Sequence, residues 1–326
     1  MLLSKIRWGI AGPGVIAHKF AEAIGNVDEA ALVAVASRSS ARSEKFAAEF
    51  NIPNAFSSYE EMAASPLIDA VYVSTAHPFH KSCAKIFLNA KKHVLCEKPL
   101  CVNAMQAKEL KTCAEKNGVF LMEAMWTRFL PAIKEAKSII DSGEIGEVMG
   151  LNADFCYSIE CDEDPKLFKN ELAGGSLLDV GVYALHLASV VFGDNPEEIS
   201  AFANIESGVD LHTQMLLKYK NAQIAVLSSA IKLEKPADAY IYGTKGSIYI
   251  PEFYQADKLI IRTNDSEKIL PFAYDGNGFE GEIREVCKCI NNGKTQSETL
   301  PLDESIKMIE LMDLIRKQVG LVYPMD

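Results

Sequence analysis

The chain has 326 residues, is 48% hydrophobic and carries a formal net charge of −11. That length exceeds what one hydrophobic core usually fills, so two domains are expected, and the negative balance disfavours a general nucleic-acid binder. No apolar stretch reads as long as the ~20 residues that cross a bilayer, and the start, Met1 to Lys5, runs directly into the first expected strand, leaving no room for a secretory leader.

Apolar runs predict strands over 5–11, 31–36, 69–74, 92–96 and 118–122. Helical spacing between them predicts helices near 15–26, 40–50, 58–64, 79–90 and 103–117. This alternation implies a parallel sheet covered by helices on both faces. Asn103 reads as a helix N-cap. Beyond residue 123 the pattern changes. A helix over 130–142 is followed by alternating runs at 147–160, 197–205, 210–219, 222–231, 238–250 and 257–262. Short turns such as Lys220-Asn221 and Gly243 to Gly246 make them hairpins of a mostly antiparallel sheet. A helix near 174–192 interrupts the first two runs, and helices near 279–292 and 303–319 follow. The expected class is α/β: a doubly wound parallel domain over 1–122 that binds a dinucleotide, then an α+β domain with an open sheet over 123–326 that binds substrate and dimerises.

Gly12, Gly14 and Ala17 fit the pattern G-x-G-x-x-G/A between the first strand and the first helix. Gly12 permits the tight turn, Gly14 lets a pyrophosphate approach the backbone, and Ala17 lets the helix pack on its strand. The helix N-terminus, through Val15 and Ile16, offers N–H groups to the phosphates. The second strand ends in Ser37-Arg38 and not in a carboxylate. Serine and arginine can bind a 2′-phosphate that an acid would repel. NADP is therefore favoured, with NAD the alternative; an ordinary polar loop is the plainer reading of these two residues.

Lys98, in Glu97-Lys98-Pro99, sits at the carboxyl end of a parallel strand, where open α/β sheets bind ligands. A solvent-exposed loop lysine is the alternative. Asp179, Tyr183 and His186 recur at i, i+4 and i+7, placing a carboxylate, a phenol and an imidazole on one helical stripe. A hydride-transferring enzyme needs a group that takes or returns the alcohol proton. A tyrosine, with its usual pKa near 10, needs a neighbouring cation for that task, and Lys98 can be that cation. A packing face with satisfied hydrogen bonds is the alternative. The eight cysteines form no C-x-x-C pair, so reduced thiols in a cytoplasmic protein are expected, with no metal site.

Three motifs in order, Gly12 to Ala17, Glu97-Lys98-Pro99 and Gly174 to Tyr183, resemble the glucose–fructose oxidoreductase/inositol dehydrogenase (Gfo/Idh/MocA) family. Within it, Ala76 to His80, Cys96 to Pro99 and Met122 to Phe129 resemble the dimeric dihydrodiol and NADP-dependent D-xylose dehydrogenases. The resemblance implies that Lys98 binds the reacting hydroxyl and the nicotinamide ribose, that Tyr183 is the general acid/base, and that Asp179 orients the substrate or the pair. Many members carry His where this chain has Tyr183, and Asn where it has His77. Thr75, His77, His80, Glu97 and Lys98 complete the implied cofactor set, and His80, Trp126, Arg128, Phe155 and Tyr183 line the implied pocket for a sugar or diol. Core packing for Trp126 and a structural ion pair for Arg128 are the alternatives. NAD-dependent polyol oxidation and a non-catalytic NAD(P)-binding regulator are the rival functions. The runs 215–219 and 224–231 are apolar on both faces, while helices 174–192 and 279–292 can cover only one side. The remaining face predicts a homodimer.

Overall fold

The computed structural model describes residues 5–264, 266–274 and 276–326. Met1 to Ser4, and the reading of the chain's start that rests on them, lie outside the described residues. Contacts divide the chain into two units, Met1–Trp126 with Asp275–Ile306, and Thr127–Tyr274 with Lys307–Asp326.

In the first unit, β1 (Ile6–Ala11), β2 (Ala30–Ala36), β3 (Asn54–Phe56), β4 (Ala70–Val73), β5 (His93–Glu97) and β6 (Leu121–Ala124) form a parallel sheet in the order β3-β2-β1-β4-β5-β6. This is the doubly wound order that reverses between β1 and β4, where such sheets open a crevice for ligands. The central strands are buried on both faces, with Ile10, Val71, Tyr72 and Leu95 all at 0% exposure. Around them lie α1 (Val15–Ile24), α2 (Ser40–Phe50), α3 (Tyr59–Ala64), α4 (His80–Asn89) and α5 (Ala104–Asn117). Asn103 caps α5 by accepting from Gln106 N–H at 3.0 Å. The sequence pattern omits β3, which has only three residues.

One expectation is corrected here. α8 (Glu280–Asn291) packs on α1 and β2 of this unit, not on the second sheet. Hydrogen bonds agree with the placement: Asn26 donates to Glu280 at 3.2 Å, and Asn277, just before α8, donates to the carbonyl of Lys19 at 2.8 Å. A single boundary at 122 therefore does not describe the chain, which returns to its first unit over 275–306.

The second unit is built on an eight-stranded sheet: β7 (Val148–Cys156), β8 (Glu198–Glu206), β9 (Val209–Lys218), β10 (Ile224–Ala230), β11 (Ala239–Gly243), β12 (Gly246–Ile250), β13 (Lys258–Thr263) and β14 (Glu267–Pro271). The order is β14-β13-β12-β11-β7-β10-β9-β8, antiparallel except for β7 beside β10. The polar β14 is not visible in the hydrophobic pattern. α6 (Pro131–Ser142) and α7 (Val182–Phe192) lie on one face, α7 against β7 and β10. α9 (Leu302–Val319) follows α8. The segment Asn170–Phe192 is long and apolar enough to cross a membrane, contrary to the sequence reading, but its most apolar stretch is 83% buried inside the protein. It is a core helix. All eight cysteines are unbridged, and only Cys161 is exposed.

Candidate active site

The first unit supplies a nucleotide-binding edge. Gly12 has φ +97°, and a Cβ there would press on Ser74 O and Thr75 at 3.1 Å. Only glycine fits that turn without strain. At Gly14 an added Cβ would meet nothing nearer than Gly12 O at 4.0 Å, so the space beside the turn is open. Gly14 caps α1 without a side chain, which leaves the helix N-terminus available to a ligand. Ala17 is fully buried. Val15 stands 83% exposed, and Ile16 is half-buried. Among the described residues the Thr75 hydroxyl is buried with no hydrogen-bond partner. An orphaned donor beside an open glycine turn fits a dinucleotide.

At the end of β2, Ser37 is buried and its Oγ accepts from Ser39 N–H at 3.3 Å. Arg38 is exposed, with its guanidinium 5.2 Å from the Phe79 ring centre. Arg42, which the sequence reading did not single out, reaches back to donate to Pro13 O at 3.1 Å. It lies one helical turn after Arg38, and that spacing was its available signal.

Three buried side chains hold the turn that carries Lys98. Glu97 accepts from the Tyr72 hydroxyl and from Lys98 N–H, Glu123 accepts from Leu100 N–H at 2.9 Å, and His80 Nδ1 lies 2.9 Å from Pro99 O. His80 Nε2 lies 2.9 Å from Thr75 O, and the ring is 0% exposed. Two carbonyls favour an imidazolium, but burial outweighs them and lowers the His80 pKa. Burial likewise pushes the Glu97 carboxyl up to about 7. Glu97 and His80 are buried and brace the backbone of the turn that carries Lys98. Lys98 itself is half-buried, with a cis peptide to Pro99. His77 lies 5.7 Å from His80, ring to ring, and Trp126 is 6% exposed, stacked on Phe279 at 5.2 Å.

In the second unit a carboxylate, Asp179, lies near three phenols, Tyr157, Tyr183 and Tyr254, and the ring of Phe155. Residues Leu177–Gly181 form a π-helical turn that leads into α7. Asp179 lies in that turn and Tyr183 in the α-helix, so the uniform stripe expected from α-helical spacing is altered between them. Single π turns favour functional sites because they re-aim side chains. The Tyr157 hydroxyl donates to Asp179 Oδ2 at 2.8 Å. Burial and this carboxylate raise the Tyr157 pKa, which keeps it a neutral donor. Phe155 sits 5.3 Å from Tyr183 and 4.4 Å from Tyr254, ring to ring, and Tyr254 stands 6.4 Å from Tyr183. Tyr157 and Tyr254 were missed by sequence reasoning, although Phe155 and Tyr157 share one side of an extended segment. Arg128 donates to Ser189 Oγ at 2.9 Å, on the same helix as Tyr183 but six residues on. His186 is buried at 1% exposure. No group of three metal-ligating side chains occurs among the described residues.

A doubly wound domain with a glycine turn, joined to a sheet domain bearing an acid and a phenol, defines an NAD(P)-dependent oxidoreductase of the dehydrogenase class. The chain belongs to the Gfo/Idh/MocA family: residues 6–125 match its oxidoreductase model with an NAD-binding Rossmann fold, and 133–249 match the GFO/IDH/MocA C-terminal domain. It is 37% identical over 331 residues to trans-1,2-dihydrobenzene-1,2-diol dehydrogenase of Mus musculus, spanning 98% of this chain and 99% of that one. The Homo sapiens protein of the same name is 34% identical over 332 residues, with the same coverage. A 3-ketoreductase from Actinomadura kijaniata, crystallised with NADP and TDP-benzene, shares the fold at TM-score 0.89 and 24% identity, over 97% of this chain and 98% of that one. An aldose–aldose oxidoreductase from Caulobacter crescentus, complexed with glycerol, does so at TM-score 0.89 and 22% identity, with the same coverage.

Proposed function

We propose that the chain is an NADP-dependent dehydrogenase acting on a carbinol carbon of a vicinal diol or a sugar. The first unit binds the nucleotide and the second the substrate. The observation that carries the reading is the Tyr157–Asp179 hydrogen bond beside Tyr183, against the ring faces of Phe155 and Tyr254. Aromatic faces suit the apolar face of a small ring, and a carboxylate can orient its hydroxyls.

Gly12, Gly14 and the start of α1 would hold the pyrophosphate, and Thr75 would offer its hydroxyl along the same edge. Ser37, Arg38 and Arg42 would hold a 2′-phosphate, which argues for NADP. When bound, the nicotinamide supplies a hydride acceptor or donor at C4. Lys98 would hold the reacting hydroxyl and supply the cation that a tyrosine acid/base needs. In the oxidative direction the Tyr183 phenolate takes the hydroxyl proton as the C–H bond breaks. In reduction it returns that proton to the carbonyl oxygen. Asp179, held by the Tyr157 hydroxyl, would orient the substrate. The relatives' name points to dihydrodiols, and aromatic ring faces suit such a ring.

Unbridged cysteines support a reducing, cytoplasmic setting. The sheet face away from α7 supports a homodimer. Phe202, Leu216, Ile224, Val226, Tyr242 and Ile269 project from it at 77%, 47%, 41%, 43%, 43% and 58% exposure. Soluble monomers rarely leave such a face bare. Nicotinamide absorbance across a panel of diols and sugars, with each cofactor, tests the reading. Turnover of a diol or aldose with NADP is expected, and no turnover with either cofactor would refute it.

A further inference from the structure

The helix that bears Asp179 and Tyr183 begins from a turn held on two sides. On one side lies Asp210, fully buried. Its Oδ2 accepts from Ser176 Oγ at 2.7 Å, Thr213 Oγ1 at 2.7 Å and Leu177 N–H at 2.8 Å. Gly175, at φ +106°, passes so close to Asp210 that any Cβ would collide with the carboxylate. On the other side Tyr323, 2% exposed, donates its hydroxyl to Gly174 O at 2.6 Å.

Tyr323 belongs to a short segment beyond α9 that is tied down at several points. Its N–H donates to Asp326 Oδ2 at 2.9 Å. Asp326 in turn accepts from Arg316 Nη1 at 2.7 Å and Nη2 at 3.1 Å. Arg316 is 4% exposed, also pairs with Asp313 at 2.6 Å, and lies 5.1 Å from the Tyr323 ring centre. Asn170 donates to Val322 O at 2.9 Å. A buried ion pair of this kind is weak evidence for stability, because desolvation offsets much of its Coulombic gain. Its best-attested use is to fix one geometry.

We infer that residues 321–326 form a strap that positions Tyr183 for catalysis, with Tyr323 as the residue that locks the Gly174–Gly175 turn and Arg316 as its anchor. Fixing that turn fixes where the π-helical turn begins, and so the axial position of both Asp179 and Tyr183. Misplacement by about 1 Å from a site remote from the chemistry can cost up to ~10²-fold in rate. Burial also raises the Tyr323 pKa, so the strap's donor keeps its proton.

The inference rests on the reading of Tyr183 as acid/base, and the test separates the two. Steady-state kinetics are compared for the wild type, Tyr323→Phe, Asp326→Asn and Tyr183→Phe, together with Tm and NADPH binding by fluorescence. Tyr323→Phe is expected to lower kcat about tenfold or more, with KM for NADP and NADPH affinity within about twofold of wild type. Asp326→Asn should act in the same direction, and it carries the test if Tyr323→Phe does not fold. Wild-type kcat in both strap variants would overturn the inference. So would losses of kcat and of NADPH affinity in parallel with Tm, which mark a merely structural role. Near-normal turnover in Tyr183→Phe would instead overturn the acid/base reading.

Discussion

The hydroxyl of Tyr157 donates to Oδ2 of Asp179 over 2.8 Å, across 22 residues of chain. The bond joins the end of β7 to the π-helical turn that precedes Tyr183. It ties the Asp179 carboxylate to the segment that carries Phe155 and Tyr157.

Tyr157→Phe removes that donor without changing shape. A hydrogen bond to a charged group is worth roughly 1.5–3 kcal/mol. The expected result is a loss of about tenfold or more in kcat/KM for the substrate, with the NADP KM unchanged. Steady-state kinetics check it, and an unchanged kcat/KM would deny Asp179 its orienting role.

The cofactor prediction concerns the end of β2. With Ser37, Arg38 and Arg42 there, kcat/KM should favour NADP over NAD. Arg38→Ala should weaken NADP by about tenfold or more, since charge-assisted bonds to phosphate are the strong ones, and leave NAD nearly unchanged. A wild-type preference for NAD of tenfold or more would contradict this.

The Glu97 carboxyl is held at about 7 by burial, against ~4.3 for an unperturbed glutamate. Between those values the native state keeps a proton that the unfolded state has lost. The stability this neutral carboxyl contributes is complete below ~4.3 and disappears as pH rises through the native pKa. Relative to Glu97→Gln, the wild type should therefore lose roughly 3 kcal/mol of unfolding free energy between about pH 4.5 and 7.5. Denaturant titrations at several pH values check it; parallel profiles for the two proteins would contradict it.

The exposed sheet face should be an interface between two copies. Light scattering should give twice the 35.8 kDa of one chain. Val226→Glu, on the centre of that face, should shift the protein toward monomer without loss of secondary structure. A wild-type mass of one chain at micromolar concentration would refute the dimer.

Much of this was legible in the sequence because it is local. Gly12, Gly14 and Ala17 declare the turn by size alone, and the strand–helix alternation of residues 5–124 follows from periodicity. What was not legible is long-range or depends on direction. The pattern of 280–291 shows a helix with one buried face, but not which sheet receives it. Nothing in Leu177 to Gly181 marks the extra residue of a π turn, so the Asp179–Tyr183 spacing reads as plain α-helix. Glu97 stands beside Lys98 in the chain, and His80 five residues after Thr75. Only the fold shows that they turn inward and hold backbone. Tyr157 meets Asp179, and Tyr254 meets Tyr183, only through long-range packing, which no local motif encodes.

The central claim is that the Tyr183 phenol transfers the substrate proton. The most direct test is Tyr183→Phe, measured by steady-state turnover of the best diol or sugar with NADP and by NADPH fluorescence for cofactor binding. General acid–base catalysis is worth roughly 10²–10⁴ in rate. A fall in kcat of that size, with NADPH affinity retained, is the predicted result. Turnover within a few-fold of wild type would contradict the account and move the proton transfer to another group.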